Sequence, residues 1–188
     1  MYDLTPNAGT MLSTTGFHRK RISFQKAEII YAITRYFDKY YLKSDNTNER
    51  PMLQLASEGM QSIVDDSQHS HCFKEGEFIP IQNAIVCMEK LLMNYTEYIR
   101  SKGFRQWDVH STEWERTREI ARKNHSVMYF KHLIRTLDPE TIANIAIFFI
   151  RQTDDLLIKQ MNPSGLKKEK IKGFLSAWPI GKLFKRVF

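Results

Sequence analysis

The sequence lacks the features that mark secreted, disulfide-stapled and membrane-spanning proteins. It contains only 2 cysteines in 188 residues, and its first residues do not combine a basic stretch with the apolar run of a signal peptide. The longest apolar run, residues 142–150, includes Asn144 and is far shorter than the roughly 20 residues that cross a bilayer. We therefore expect a cytoplasmic protein in which this run forms a core helix.

Motifs of catalysis are also missing from the sequence. It has no glycine-rich phosphate loop, no nucleophile elbow and no histidine pair spaced to share one helix face. His69, His71 and Cys72 follow Asp65 and Asp66, and imidazole and thiolate suit zinc, but no second ligand pair stands at a recognisable spacing. We predict a non-catalytic protein without a metal site or cofactor.

Apolar residues recur at helical spacing along most of the chain, and no alternating strand pattern or internal repeat occurs. Ser23 is expected to cap the first helix, Thr112 and Glu115 to form a capping box, and Asp138 to cap a helix that begins at Pro139. The predicted fold is all-α, an up-and-down four-helix bundle with additional short helices. Long helices are predicted at about 23–43, 49–67, 79–102 and 139–161, with shorter ones at 112–123 and 126–136.

The third helix has the most regular pattern. Seven residues alternate at spacings of three and four, which is typical of the seam of a left-handed bundle. Pro80 is compatible with this helix only in its first turn, and Gly103 is expected to end it. In the second helix, Ala56 and Gly59 are small enough for a neighbouring helix to come close. The seam consists of Phe78, Ile81, Ile85, Met88, Leu92, Tyr95 and Ile99.

The first helix is apolar over most of its circumference, more than packing on one neighbour requires. One arc is assigned to the core of the bundle. The adjoining arc is predicted to be an interface between subunits of a homo-oligomer. That second arc consists of Ile29, Ile33, Tyr36 and Tyr40.

Positive charge is concentrated near the two ends. The formal net charge is +7, and residues 163–188 hold seven basic side chains against one acid. A basic cluster just before the first helix opposes the positive end of the helix dipole, so it favours anion binding more than folding. We divide the chain into a flexible arm (1–16), the bundle (17–161) and a basic, aromatic tail (162–188). The predicted nucleic-acid-binding residues are Arg19, Lys20, Arg21, Lys167, Lys168, Lys170, Lys172, Lys182, Lys185 and Arg186.

Short segments in order resemble a known family. They are 23–31 (SFQKAEIIY), 52–59 (MLQLASEG) and 62–67 (SIVDDS), followed by 105–107 (RQW), 140–144 (ETIAN) and 151–153 (RQT). These resemble the four-helix bundle proteins named after intervening sequences in bacterial large-subunit ribosomal RNA genes, in the subgroup with an extended C-terminal half. The resemblance implies a four-helix protomer that assembles into a basic pentameric barrel. One branch of the relatives binds nucleic acid as an accessory to a reverse transcriptase.

The sequence supports two functional hypotheses. The first is an oligomeric helical-bundle protein that binds RNA or DNA through phosphate contacts at its basic ends. The alternative is an interaction scaffold whose tail engages a partner protein or, less favoured because Pro179 and Gly181 interrupt any tail helix, an anionic membrane surface. Phosphate contacts weaken with salt, whereas apolar docking does not, so salt dependence separates the two.

Overall fold

A computed structural model describes residues 22–42, 50–69 and 79–161. Within these ranges the chain forms six α-helices and no strand, which confirms the all-α prediction. A single 3-10 turn, Ile134–Thr136, follows the fifth helix. The helices are α1 (Ile22–Tyr41), α2 (Pro51–His69), α3 (Ile79–Ser101), α4 (Thr112–Lys123), α5 (Val127–Leu133) and α6 (Pro139–Met161).

The four long helices share one core. Helices α1 and α3 each pack against both α2 and α6. The two short helices cover this group from outside, with α4 on α6 and α5 on α1. No helix in the described ranges is both long enough and apolar enough to span a membrane.

Several predicted helix ends are confirmed. Pro80 is the second residue of α3, where its missing N–H removes no helical hydrogen bond. Gly103 adopts φ +66°, and the N–H groups of Gly103 and Phe104 donate to the carbonyls of Arg100 and Ile99 at 3.2 and 3.0 Å. This pair of bonds is the Schellman motif, which stops α3 with a left-handed glycine.

The start of α6 is confirmed as well. The carboxylate of Asp138 accepts the backbone N–H of Thr141 at 2.9 Å and the hydroxyl of Thr141 at 2.6 Å. Pro139 is the first helical residue, as its fixed φ favours. The cap satisfies a backbone donor that would otherwise lack a partner at the helix start.

Two predicted caps are wrong. Ser23 lies inside α1 rather than before it, and its buried hydroxyl accepts a hydrogen bond from Gln160 at 2.9 Å. The N-cap of α4 is Ser111, not Thr112, because the Ser111 hydroxyl accepts the N–H of Trp114 at 3.2 Å. Ser111 and Thr112 are adjacent hydroxyl residues before the same apolar pattern, so spacing alone does not show which of them caps α4.

The core follows the predicted faces with one shift. On α3, five residues of the seam are buried, but Leu92 is only half-buried and the adjacent Leu91 is completely buried instead. On α6, every residue from 142 to 150 is at most 4 % exposed, which confirms a core helix there. The buried seam residues are Ile81, Ile85, Met88, Tyr95 and Ile99; Phe78 lies outside the described residues.

The close approach at Gly59 is also confirmed. A Cβ atom added at Gly59 would lie 2.9 Å from Cε of Met88 and 3.2 Å from Cβ of Cys87. Both distances are shorter than ordinary van der Waals contact. The absence of a side chain at Gly59 therefore sets the spacing between α2 and α3. Cys87, predicted as a core residue, is half-buried.

Candidate anion-binding groove

The ten basic residues predicted to bind nucleic acid, from Arg19 to Arg21 and from Lys167 to Arg186, all lie outside the described residues. The described part contains a basic site that the sequence analysis did not single out. It is a groove of about 420 Å³ between the start of α1, the second half of α4 and the end of α6. We call it the α1/α4/α6 groove. Its lining residues are Ile22, Lys26, Arg118, Ala121, Arg122, His125, Gln152, Asp155, Leu156 and Lys159.

The charge of the groove is predominantly positive. Four lysine and arginine side chains and one histidine face a single carboxylate, that of Asp155. Arg118 is committed in part, because its Nη1 bonds both carboxylate oxygens of Glu115 at 2.6 and 2.7 Å. Among the described residues, Arg122 and Lys159 form no ion pair. The groove therefore retains positive charge that its own residues do not neutralise.

Lys26 is the unusual cation of this groove, since the residue is only 8 % exposed. Its ammonium group donates a hydrogen bond to Oε1 of Gln152 and lies 5.3 Å from the ring centroid of Phe149. Burial lowers the pKa of Lys26, and no described carboxylate forms an ion pair with it. Burial disfavours the charged form of this amine, and an anion bound beside the ammonium group would offset that cost.

The groove lies where the two described ends of the chain meet. Ile22, the first described residue, and Lys159, near the last, both line it. The hydrogen bond between Gln160 and Ser23 joins these ends directly. In sequence, the basic residue Arg21 immediately precedes Ile22, and the basic tail follows α6.

A second basic region continues along the chain from the groove. Residues 120–137 contain no aspartate or glutamate, but they hold two arginines, two lysines and two histidines. All six of these side chains are exposed. Met128 and Tyr129 are also exposed, at 62 and 40 %. This run without acidic residues is visible in the sequence, and it contains Arg122 and His125 of the groove.

The predicted interface residues of α1 divide into two groups. Ile29 and Ile33 are completely buried within the single chain. Tyr36 is half-buried and Tyr40 is 56 % exposed, with their ring centroids 4.5 Å apart. The breadth of the apolar surface on α1 is thus explained in large part by α2, α5 and α6 of the same chain. Of the four predicted interface residues, only Tyr36 and Tyr40 keep solvent-accessible surface, and the assembly itself stays a prediction.

Two carboxyl groups with little or partial exposure lie on facing helices outside the groove: Glu89 of α3 is buried and Asp154 of α6 is partly buried. Oδ1 of Asp154 is inaccessible to solvent and has no hydrogen-bond partner. Burial raises the pKa of both groups, and repulsion from Glu89 and Asp155 raises the pKa of Asp154 further. A carboxyl group in this position favours its protonated form.

Another groove contains the thiol of Cys87. It has a volume of about 430 Å³ between α2 and α3, and Cys87 lines it together with Glu58 and Lys90. Burial and the Glu58 carboxylate raise the pKa of the Cys87 thiol. Because the thiolate is the nucleophile, this environment disfavours reactivity. Of the residues considered for a metal site, His71 and Cys72 lie outside the described residues. Among the described residues, no group of three acidic, histidine or cysteine residues could hold a metal ion.

Comparison with known proteins adds no relative. No family model, no curated protein and no solved structure matches this chain.

Proposed function

We propose that the protein is a non-catalytic, oligomeric helical-bundle protein of the cytoplasm that binds nucleic acid through phosphate contacts. The supporting observation is the excess of positive charge in the α1/α4/α6 groove, where Lys26, Arg122 and Lys159 have no described ion-pair partner. Cations that neutralise phosphates release counterions, which gives binding that does not depend on sequence. The basic cluster at 19–21 and the basic tail are proposed to add phosphate contacts of the same kind.

The family resemblance belongs to this proposal. The packing of α1 and α3 against both α2 and α6 is compatible with an up-and-down four-helix bundle of the ribosomal RNA intervening-sequence type. Two of the resembling segments, 105–107 and 140–144, meet in space through hydrogen bonds of Asn144. We propose a ring of such protomers, a pentamer in the relatives, which would repeat each basic patch and strengthen weak phosphate contacts through avidity.

Fluorescence anisotropy with a labelled single-stranded RNA tests the binding. Affinity is expected to fall by about 300-fold or more between about 50 and 200 mM salt if six or more phosphates of the single strand are contacted. The combined variant Arg19→Ala, Lys20→Ala and Arg21→Ala is expected to weaken binding and to reduce the salt slope. The matched control replaces three exposed cations outside the proposed surface, Arg35, Arg100 and Lys102, with alanine. Absence of RNA and DNA binding at low salt would contradict the proposal.

The scaffold alternative predicts a different dependence on salt and on the residues of the tail. Apolar docking of the tail on a partner protein would then depend on Trp178 and Phe184 and would change little with salt, whereas binding to anionic vesicles would keep an electrostatic, salt-dependent part. The variant Trp178→Ala with Phe184→Ala distinguishes the two, since it leaves the charge unchanged.

The proposed assembly has its own test, light scattering coupled to size-exclusion chromatography. Tyr40→Glu places a charge on the exposed part of the α1 interface without touching the buried core. We expect this variant to dissociate the oligomer, because an unpaired charge in an interface is costly. Met128→Glu, at an equally exposed apolar residue of α5, is the control and should leave the assembly intact. An unchanged oligomer in Tyr40→Glu would contradict the assigned interface.

A further inference from the structure

The α1/α4/α6 groove combines cations with an apolar wall. Its cationic side comes from Lys26, Arg122 and Lys159, and its apolar side from Ile22, Ala121 and Leu156. Ile22 is half exposed and Leu156 partly exposed, so both side chains are accessible from solvent. A polyanion without apolar groups would use only the first side. A nucleotide, with a phosphate and a flat base, complements both.

The dimensions of the groove restrict the form of the nucleic acid. Its volume of about 420 Å³ is at the lower end of the range of small-ligand sites, roughly 300–1,000 Å³. A double helix holds its bases stacked and paired, so their faces cannot reach an apolar wall. An unpaired base has a free face that can lie against protein side chains.

The chain's own basic segments are poor occupants of this groove. Residues 163–188 carry seven basic side chains and one acid, and the cluster at 18–21 is entirely basic. Like charges repel at short range, so the positive groove is complementary to neither segment. Charge complementarity therefore favours an anionic ligand from outside the chain.

We propose that the groove seats one nucleotide of a single-stranded nucleic acid, with its phosphate on Lys26 and Arg122 and its base against Ile22 and Leu156. This inference rests on the proposed function and specifies its ligand. Lys26 is the positioning cation, since its bond to Gln152 and its contact with the Phe149 ring hold the ammonium group in one place. Arg122 and Lys159 are free to close on the phosphate from the opposite helices.

Matched pairs of variants test this assignment. Arg122 and Arg116 are both exposed arginines of α4, but only Arg122 lines the groove. Arg122→Gln is expected to weaken binding of an oligouridine of about twelve nucleotides by about tenfold and to lower the salt slope by about one, whereas Arg116→Gln should change affinity by less than about twofold. Lys26→Met and its control Lys102→Met, outside the groove, form the second pair. Because Arg122 is exposed, its variant keeps the test valid even if Lys26→Met fails to fold.

A comparison with duplex RNA tests the preference for a single strand. The wild-type protein is expected to bind the oligouridine more tightly than the same strand paired with oligoadenine, and Leu156→Ser should reduce that preference.

Equal affinities of the groove variants and their controls, with wild-type RNA binding intact, would overturn this inference while the proposed function stands. Equal binding of duplex and single strand would also overturn it. Failure of the wild-type protein to bind any nucleic acid would overturn both. Loss of binding to phosphatidylserine vesicles in Arg122→Gln, with RNA binding unchanged, would assign the groove to a membrane surface instead.

Discussion

The side chain of Asn144 holds the backbone beside Trp107. Its carbonyl oxygen accepts the N–H of Trp107 at 2.8 Å, and its amide nitrogen donates to the carbonyls of Arg105 and Glu140 at 3.0 and 2.9 Å. The one polar residue in the apolar run of α6 therefore fixes the turn that follows α3. All of these bonds form where Asn144 is almost completely buried.

Replacing Asn144 with alanine is expected to lower the free energy of unfolding by about 2–4 kcal/mol, because it leaves the buried Trp107 N–H without its partner. Urea denaturation of the variant measures this loss. The control is Asn94→Ala, whose exposed amide donates to one carbonyl, and which should cost less than about 1 kcal/mol. Equal losses in the two variants would mean that the buried bonds of Asn144 contribute little.

The adjacent residues Leu91 and Leu92 provide a second matched pair. Leu91 is completely buried and Leu92 is half-buried. Leu91→Ala should cost about 2–5 kcal/mol, and Leu92→Ala clearly less, because a smaller apolar area and a smaller cavity are lost. Thermal and urea unfolding of both variants give the comparison. A larger loss of stability in Leu92→Ala than in Leu91→Ala would support Leu92 as the core residue, as the sequence pattern predicts.

The close packing at Gly59 predicts a steric effect. Gly59→Leu is expected to destabilise the protein by about 1–3 kcal/mol or more, because its side chain would enter the space of Met88 and Cys87. Ser57→Leu, at an exposed residue two positions earlier on α2, should change stability by less than about 0.5 kcal/mol. Circular dichroism during thermal unfolding compares the two. A neutral Gly59→Leu would show that α2 and α3 can separate without loss.

The carboxyl groups of buried Glu89 and partly buried Asp154 predict a dependence of stability on pH. Their pKa values are raised in the folded protein, so on raising the pH the unfolded chain releases these protons first. Their contribution to stability is complete below about pH 4 and is lost as the pH rises through the folded pKa values. Asp154→Asn should therefore stabilise the protein at pH 7 by about 1–2 kcal/mol and flatten the pH profile.

Urea midpoints from pH 4 to 8, measured for wild type, Asp154→Asn and Glu89→Gln, check this expectation. The control is Glu119→Gln, which removes an exposed carboxylate of α4. Because groups such as Asp138 have a lowered pKa and act in the opposite direction, the difference between variant and wild type is the relevant quantity. A difference that does not vary with pH would contradict the assigned origin.

The sequence predicted those parts of the fold that depend on local pattern. Asp138 and Pro139, Pro80 and Gly103 each act through their own backbone geometry, so their positions could be assigned without knowledge of the neighbours. Ser111 and Thr112 carry the same hydroxyl chemistry one residue apart, and the choice between them depends on the backbone. The same holds for Leu91 and Leu92, since both are apolar and helix packing alone decides which one is enclosed.

The groove could not be predicted in the same way. Lys26, Arg122 and Lys159 are separated by more than thirty residues along the chain and come together only when three helices pack. In the sequence, Lys26 belongs to the family-like segment 23–31, and nothing local distinguishes it there. Its functional significance depends on its burial beside Gln152 and Phe149, which no local pattern encodes.

The complete burial of residues 142–150 in α6 also determines how their amide hydrogens exchange with solvent. Their amide hydrogens are held in helical bonds and surrounded on all sides, so deuterium from the solvent reaches them only when the whole core unfolds. Exchange at these amides should therefore report the global unfolding equilibrium under native conditions, without denaturant. The amides of the mostly exposed helix α4 should exchange through smaller local openings and lose protection before those of residues 142–150.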